Sequence, residues 1–390
     1  MTRLTADWLT QAPTRAVCAA LSRDGAQVLF VGGCVRNTLL EVPVSDLDIA
    51  TDARPETVMK LAAEAGLRAV PTGIEHGTVT VIADGHPFEV TTFRHDIETD
   101  GRRAVVSFAT DMAEDAMRRD FTMNALYARP DGCVLDPVGG LPDLIARRVR
   151  FIGDAHDRIR EDHLRSLRFF RFHAWYGDPA AGMDPDALAA IAAHLDGLDR
   201  LSRERIGAEM LKLLAARDPA PAVAAMRQCG VLAAILPGTD DRALAPVVHF
   251  GGQLGLGPDP ILRLAALGPD FTDALRLSRD QARRLDLLRR WAEGAAPGPE
   301  LGYRLGAEDA LAVIALRAAL TESPPPPDAV AGVASGAGRT MPLGAADLMP
   351  QWRGAALGER LRDLEDRWIA SGFTLTRDRL LALPRDPEKG

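Results

Sequence analysis

Two aspartates one residue apart, Asp46 and Asp48 in Ser45-Asp46-Leu47-Asp48-Ile49, are the first chemical signal in the chain. Alternate residues of a strand point the same way, so their carboxylates would face one side together. Carboxylates so close repel unless a cation stands between them, and an all-oxygen ligand set favours Mg²⁺. An isolated Asp-x-Asp is commonly a solvated loop, so its surroundings decide. Just upstream, Phe30-Val31-Gly32-Gly33-Cys34-Val35-Arg36 reads as a strand, two glycines and a helix start, which makes a backbone anion cradle. Gly33 lets a phosphate approach the chain, and Arg36 adds positive charge. Downstream, Phe88-Glu89-Val90-Thr91-Thr92-Phe93-Arg94 offers Glu89 as a third carboxylate on an adjacent strand. A phosphate cradle beside metal-binding acids is the minimum kit for nucleotidyl transfer, in which the metals hold a triphosphate and lower the pKa of an attacking hydroxyl.

Two further segments carry polar groups at telling spacings. Arg118-Arg119-Asp120-Phe121-Thr122-Met123-Asn124-Ala125-Leu126 offers cations for triphosphate oxygens, with Asp120 and Asn124 for ribose hydroxyls or for orienting neighbours. In Glu161-Asp162-His163-Leu164-Arg165-Ser166-Leu167-Arg168-Phe169-Phe170-Arg171-Phe172, a helix would put Asp162 and Arg165 on one face. Arg168 and Arg171 continue that row, while Leu164, Leu167 and Phe170 form an apolar face. Cytosine and adenine both show an exocyclic amine beside a ring-nitrogen acceptor, which suits an Asp acceptor next to an Arg donor. Uracil and guanine present a ring N–H and a carbonyl there, so both would meet like against like. Each such mismatch costs roughly 1–3 kcal/mol, and two give roughly 10²-fold discrimination or more. The plainer reading of the same spacing is an amphipathic helix with an i,i+3 ion pair.

The elements that must position these groups change character along the chain. Up to about residue 140, short β-rich runs alternate with helical ones. Gln27–Val31, Leu47–Ala50, Thr78–Ile82 and Phe88–Phe93 read as strands, Asp84-Gly85 as a hairpin turn, and Arg54–Ala65 and Asp111–Arg118 as helices. Beyond that point strand signals fade, and Glu161–Trp175, Pro185–Leu195, Arg203–Ala215, Ala220–Gln228 and Arg263–Leu288 read as helical. Ser323–Pro327 reads as a stiff polyproline linker, followed by an amphipathic helix near Leu357–Ile369. The chain is thus α+β, with an α+β domain over residues 1–140 and helical segments over 141–215 and 216–390.

Composition bounds the rest. The chain has 390 residues, more than one ordinary domain needs, and 47% are hydrophobic, enough for substantial cores. A formal charge of −8 means that any nucleic-acid surface must be a local basic stripe on an acidic body. Cys18, Cys34, Cys133 and Cys229 are scattered without a CxxC pair, so neither a zinc site nor a disulfide framework is expected. The N-terminus lacks a basic-then-apolar signal segment and no apolar run reaches ~18 residues, so a cytoplasmic location away from membranes is expected.

GGCVR followed by DLD, then HGTVTV and FEVTTFR, resembles the head domain of class II CCA-adding enzymes and bacterial poly(A) polymerases. The resemblance implies a polymerase-β-like head with a mixed sheet, followed by an all-α neck, body and tail. One departure is Asn37, where the family usually has Asp after the Arg of GGxVR; it is read as supporting structure. Residues 118–126 match the family's RRDFTxNAL, which implies nucleotide binding by Arg119. Residues 161–165 resemble its EDxxR, which implies that Asp162 and Arg165 serve as a protein template for CTP and ATP and brings Arg168 and Arg171 into the nucleotide site. Asp136–Leu144, continuing to Arg148–Gly153, is similar to the family's flexible motif between head and neck. Leu201–Ile206 with Glu209 looks like its neck-closing motif, with a structural role through capping by Ser202 and ion pairing.

His76-Gly77-Thr78-Val79-Thr80-Val81 resembles the CCA-adding version, where poly(A) polymerases carry a GRR-type stretch. Relatives that add only CC lack a flexible loop, which the run from Arg94-His95-Asp96 to Asp100-Gly101-Arg102-Arg103 resembles intact. The family's extra phosphohydrolase domain is not expected, because Pro260–Leu267 carries no His-Asp dyad. The resemblance therefore implies addition of C, C and A to the 3′ end and acceptor arm of tRNA from CTP and ATP, with Mg²⁺ at Asp46 and Asp48 and no protein partner. The alternatives are a CC-adding enzyme, a poly(A) polymerase or an inactive RNA-binding protein. A small-molecule nucleotidyltransferase would not account for the long helical body.

Overall fold

The computed structural model describes residues 2–100, 103–268 and 270–384. They fall into two compact units, Met1–Pro237 and Gly238–Gly390. The first is built on a seven-stranded sheet of β1 (Val28–Val31), β2 (Asp48–Thr51), β3 (Arg68–Gly73), β4 (Thr78–Ala83), β5 (His86–Thr92), β8 (Tyr127–Ala128) and β9 (Val134–Leu135). Its order is β3-β4-β5-β2-β1-β8-β9, and it is mixed: β2 and β5 run parallel, the other neighbours antiparallel. Every residue of β1 is buried, as its unbroken Val-Leu-Phe-Val run requires, whereas β4 alternates buried and half-buried. Asp84 and Gly85 both adopt positive φ, so the two-residue turn between β4 and β5 has the conformation that matches strand twist.

The sheet's register sets the acids. Asp48 lies directly opposite Glu89 across the β2–β5 pair, although 41 positions separate them in sequence (89 − 48). Asp46, expected on the same strand, stands ahead of it. On the β1 side the ladder ends at Phe30–Ile49, because β1 turns away at Gly32, so the backbone before Asp48 has no strand partner. A ribbon of β6 (Arg94–Asp100) and β7 (Arg103–Phe108) follows the sheet. Gly101 and Arg102 of the expected flexible loop lie outside the described residues.

Helices Ala12–Leu21 and Pro55–Glu64 pack on the sheet, while the helices that follow it in sequence pack chiefly on one another. Phe121 is fully buried and meets Phe151 and Phe172 at 5.0 Å ring separations, so an aromatic seam docks the 118–126 segment on the helix Leu164–Tyr176. Leu164, Leu167 and Phe170 are buried, as their apolar face predicts. The expected continuous helix from Glu161 is broken, however. One helix, Ala155–Glu161, ends at Asp162, whose backbone is extended, and the next begins at Leu164. The Asp162 carboxylate accepts the Leu164 N–H at 3.1 Å, a local bond that competes with helix continuation.

The second unit is helical, centred on Ala307–Leu320, which is buried on most faces. Ser323–Pro327 joins this helix to Ala329–Gly336, and the two helices pack together, so the proline run is a connection inside one unit. Leu343, Leu348, Leu364, Trp368 and Leu380 form a separate apolar cluster near the C-terminus.

Gly140 marks the tightest backbone approach near the sheet. A Cβ there would fall 2.1 Å from the Thr122 carbonyl oxygen. Gly140→Ala should destabilise the first unit by about 1–3 kcal/mol through overpacking, read as a lowered urea midpoint with unchanged slope.

Candidate active site

The turn after β1 depends on glycine. Gly32 has φ 71° and ψ −119°, a region that L side chains avoid, and the helix Gly33–Leu39 starts immediately after it. A side chain at Gly32 would also stand 3.6 Å from the Arg119 guanidinium, which therefore lies over this turn. Arg36 is only 6% exposed. Its Nη1 donates to Asn124 Oδ1 at 2.5 Å, Nε and Nη2 donate to Asn37 Oδ1 at 3.1 and 2.9 Å, and Nη2 also donates to the Tyr176 hydroxyl at 2.8 Å. Asn37 in turn donates to the Pro43 carbonyl, so it holds both Arg36 and the loop leading to the acids. Burial pushes the Arg36 pKa below its ordinary value.

The three carboxylates differ in setting. Asp46 and Glu89 are exposed, and the Ser45 hydroxyl donates to Asp46 at 2.8 Å. Asp48 is partly buried. Burial first, then the Glu89 charge, with a smaller contribution from Asp46, pushes its pKa from 3.8 up to about 6 against the pull of Arg119. Among the described residues no Lys or Arg forms an ion pair with Asp46, Asp48 or Glu89. An all-oxygen set of mutually repelling carboxylates is the donor chemistry that suits Mg²⁺. Among the described residues no His, Cys, Asp or Glu trio converges tightly enough to hold an ion by itself.

The 118–126 segment is fixed by a buried acid that its sequence did not single out. Asp115 accepts from Arg118 at 2.9 Å, from Arg119 at 2.9 Å and from the Tyr127 hydroxyl at 2.7 Å. Burial works to raise the Asp115 pKa, but the two guanidinium groups and the phenol outweigh it and hold it at about 2. Asp120 is used for orientation. One oxygen accepts from Asn124 and from the Phe121 N–H, both at 2.8 Å, and the other accepts Arg168 Nε at 2.7 Å. Burial opposes its ionisation, and Arg168 and Asn124 hold its pKa below the ordinary value.

Across the break before Leu164 the Arg165 N–H donates to the Asp162 carbonyl at 2.9 Å, but the two side chains do not pair with each other. Arg205 donates to Asp162 Oδ2 at 2.6 Å. Arg165 donates from Nη1 to Glu161 at 2.5 Å and to the Arg158 carbonyl at 3.1 Å, and from Nη2 to the Arg118 carbonyl at 2.9 Å. Arg171 pairs with the buried Glu209 at 2.5 Å, and Arg168 stands 3.9 Å from that same carboxylate. A ladder of alternating charge, Asp120–Arg168–Glu209–Arg171, thus runs beside the Arg36–Asn124 pair, and Arg165 reaches the 118–126 segment through its backbone. Glu209 had a signal in the sequence, four positions beyond Arg205 on one helix face; Asp115, Tyr127 and Tyr176 had none.

Residues 28–150 match the family described as the Poly A polymerase head domain, and residues 182–242 match the one described as a probable RNA and SrmB-binding site of polymerase A. The chain is 42% identical over 193 residues to the human mitochondrial CCA tRNA nucleotidyltransferase 1, a match covering 49% of this chain and 44% of that protein. It is 42% identical over 207 residues to a CCA-adding enzyme of Levilactobacillus brevis, covering 53% and 50%. The fold is similar to that of the Bacillus stearothermophilus CCA-adding enzyme solved in complex with CTP, with a TM-score of 0.71, 27% identity and coverage of 93% and 94%. These likenesses place residues 28–150 in the Poly A polymerase head-domain family, and the chain as a whole is similar in fold to a CCA-adding enzyme. The chain spans about half the length of the curated CCA-adding relatives it matches, and the head-domain match takes in the acids and most of the sheet. No helix among the described residues is long and apolar enough to cross a membrane.

The raised Asp48 pKa carries a stability signature. Its folded value lies above the unfolded one, so the ionised side chain opposes folding once pH passes through about 4 to 6 and not below. Asp48→Asn should therefore stabilise the metal-free protein by on the order of 1–3 kcal/mol at pH 8 and leave it nearly unchanged near pH 3.5. Urea denaturation at the two pH values reads the difference.

Proposed function

We propose that the chain adds C, C and A in turn to the 3′ end of tRNA, using CTP and ATP without a nucleic-acid template and releasing pyrophosphate. The observation that carries this reading is the single arrangement of Asp48 and Glu89 in register, Arg119 over the Gly32 turn, and the Asp162–Arg165 segment bonded to the Arg118 backbone. The likeness to CCA-adding relatives supports the product. In this reading residues 1–140 are the catalytic head, 141–215 the neck that recognises the base, and 216–390 the body and tail that bind the tRNA acceptor arm in the cytoplasm.

Asp46 and Asp48, with Glu89 assisting, would hold Mg²⁺, which supplies charge neutralisation of the triphosphate and a lower pKa for the attacking hydroxyl. The 3′ oxygen of the tRNA bonds to the α-phosphorus, the bond to the β-phosphate oxygen breaks, and the hydroxyl proton leaves to solvent. Gly33, Arg36 and Arg119 hold the phosphates. Asp120 and Asn124 orient Arg168 and Arg36, and Arg168 and Arg171 line the nucleotide site. Asp162 and Arg165 read the base. Each Asp162 oxygen has a second lone pair, so the carboxylate can accept an exocyclic amine while keeping its bonds to Leu164 and Arg205. Arg165 retains its Nε proton and one Nη2 proton for the ring nitrogen.

The test is incubation with tRNA lacking its terminal CCA, Mg²⁺ and each nucleotide alone or combined. The wild-type chain should add CCA and stop. Asp46→Ala should lose activity by about 10³-fold or more, the equivalent of several kcal/mol of metal-borne stabilisation. Asp162→Ala should cut the preference for CTP over UTP by about tenfold or more. Products ending after two cytidines would show a CC-adding enzyme, and long adenosine tails on unrelated RNA would show a poly(A) polymerase. No incorporation with any nucleotide would leave the RNA-binding reading.

A further inference from the structure

We infer that Tyr176 is a positioning residue for Arg36, and through it for the phosphates of the incoming nucleotide. This rests on the reading of Arg36 as a phosphate contact. Arg36 is a buried cation whose described hydrogen-bond partners are all neutral: the Asn37 and Asn124 side-chain oxygens and the Tyr176 hydroxyl. Among the described residues no carboxylate lies within ion-pair distance of it. A guanidinium held this way is oriented without being neutralised, so its full charge is kept for an anion.

Tyr176 holds it in two ways at once. The phenol oxygen accepts from Nη2 at 2.8 Å, and the guanidinium carbon lies 4.0 Å from the Tyr176 ring centroid, with Phe172 behind it at 5.2 Å. The other two acceptors come from nearby parts of the head, one from the helix of Arg36 itself and one from the 118–126 segment. Tyr176 alone comes from the end of the helix that carries Arg165, Arg168 and Arg171, 140 positions away in sequence.

The Tyr176 position is itself fixed. A Cβ at Gly177 would fall 2.5 Å from the His173 ring and 2.6 Å from its carbonyl oxygen, so the helix closes tightly just after Tyr176. One residue earlier, Trp175 Nε1 donates to the Lys212 carbonyl at 2.8 Å, which pins the helix end to its neighbour. Tyr176 therefore ties the phosphate turn to the helix that reads the base. A nucleotide gripped at both ends is gripped by elements that this side chain keeps in register.

The test compares Tyr176→Phe, Tyr176→Leu and Arg36→Ala with wild type, using tRNA lacking CCA. KM and kcat for CTP are measured, together with inhibition by tripolyphosphate, a probe that has no base. Tyr176→Phe keeps the ring and should raise the CTP KM about threefold to tenfold. Tyr176→Leu loses ring and hydroxyl and should raise it more, with tripolyphosphate inhibition weakened in parallel and the CTP-over-UTP preference unchanged. A merely structural role would instead lower the active fraction, and so kcat, at constant KM and constant tripolyphosphate affinity; that result overturns the inference. If Tyr176→Leu fails to fold, Tyr176→Phe alone decides it. If Arg36→Ala leaves both quantities unchanged, the assignment of Arg36 to phosphate is what fails. If Arg36→Ala raises KM and neither Tyr176 variant does, the role of Tyr176 is what fails.

Discussion

The ion pair between Asp120 and Arg168 is the contact on which the candidate site depends. Asp120 is buried, and burial alone would favour its neutral acid; the guanidinium keeps it ionised. Once such a pair is formed, removing either partner strands a buried charge, at a cost of about 3–5 kcal/mol. The same carboxylate also fixes Asn124, and Asn124 fixes Arg36. Arg168 in turn shares Glu209 with Arg171. The orientation of the Gly32 turn, the 118–126 segment and the Leu164–Tyr176 helix is thus coupled to one buried pair, with the Phe121 aromatic seam supplying the apolar half of the joint.

This design resolves an apparent conflict in the chain's charge. A protein with a formal charge of −8 is proposed to bind two kinds of polyanion, a triphosphate and an RNA. Most of its site arginines are matched to acids: Arg168 to Asp120, Arg171 to Glu209, Arg165 to Glu161 and Arg119 to Asp115. The acids hold the cations in defined positions, and each guanidinium keeps further N–H donors for a ligand. Arg36, surrounded by neutral acceptors, is the exception. It stands beside Gly33, where an added Cβ would lie 3.8 Å from its Nη2.

Much of this was legible in the sequence, for identifiable reasons. The Asp84-Gly85 turn and the Thr78–Ile82 strand follow from local backbone chemistry, and both appear in the structure. The mixed sheet came from the family resemblance. What sequence spacing could not reach were contacts set by tertiary register. Asp48 faces Glu89 because two parallel strands align, and Tyr176 meets Arg36 across 140 positions. Helical periodicity also misled at one point. It runs through Asp162, but that carboxylate bonds the next turn's N–H and breaks the helix. The proline run at Ser323–Pro327 reads as a stiff linker, and in the structure it joins two packed helices of the second compact unit, whose division from the first falls at Pro237 and Gly238.

We propose that protein side chains, with no nucleic-acid template, select the base. The most direct test is the kcat/KM of a cytidine triphosphate analogue whose base lacks the exocyclic amine, measured against CTP on tRNA lacking CCA. If Asp162 accepts that amine, the analogue should be poorer by about tenfold or more. Equal use of the analogue and CTP would contradict the account.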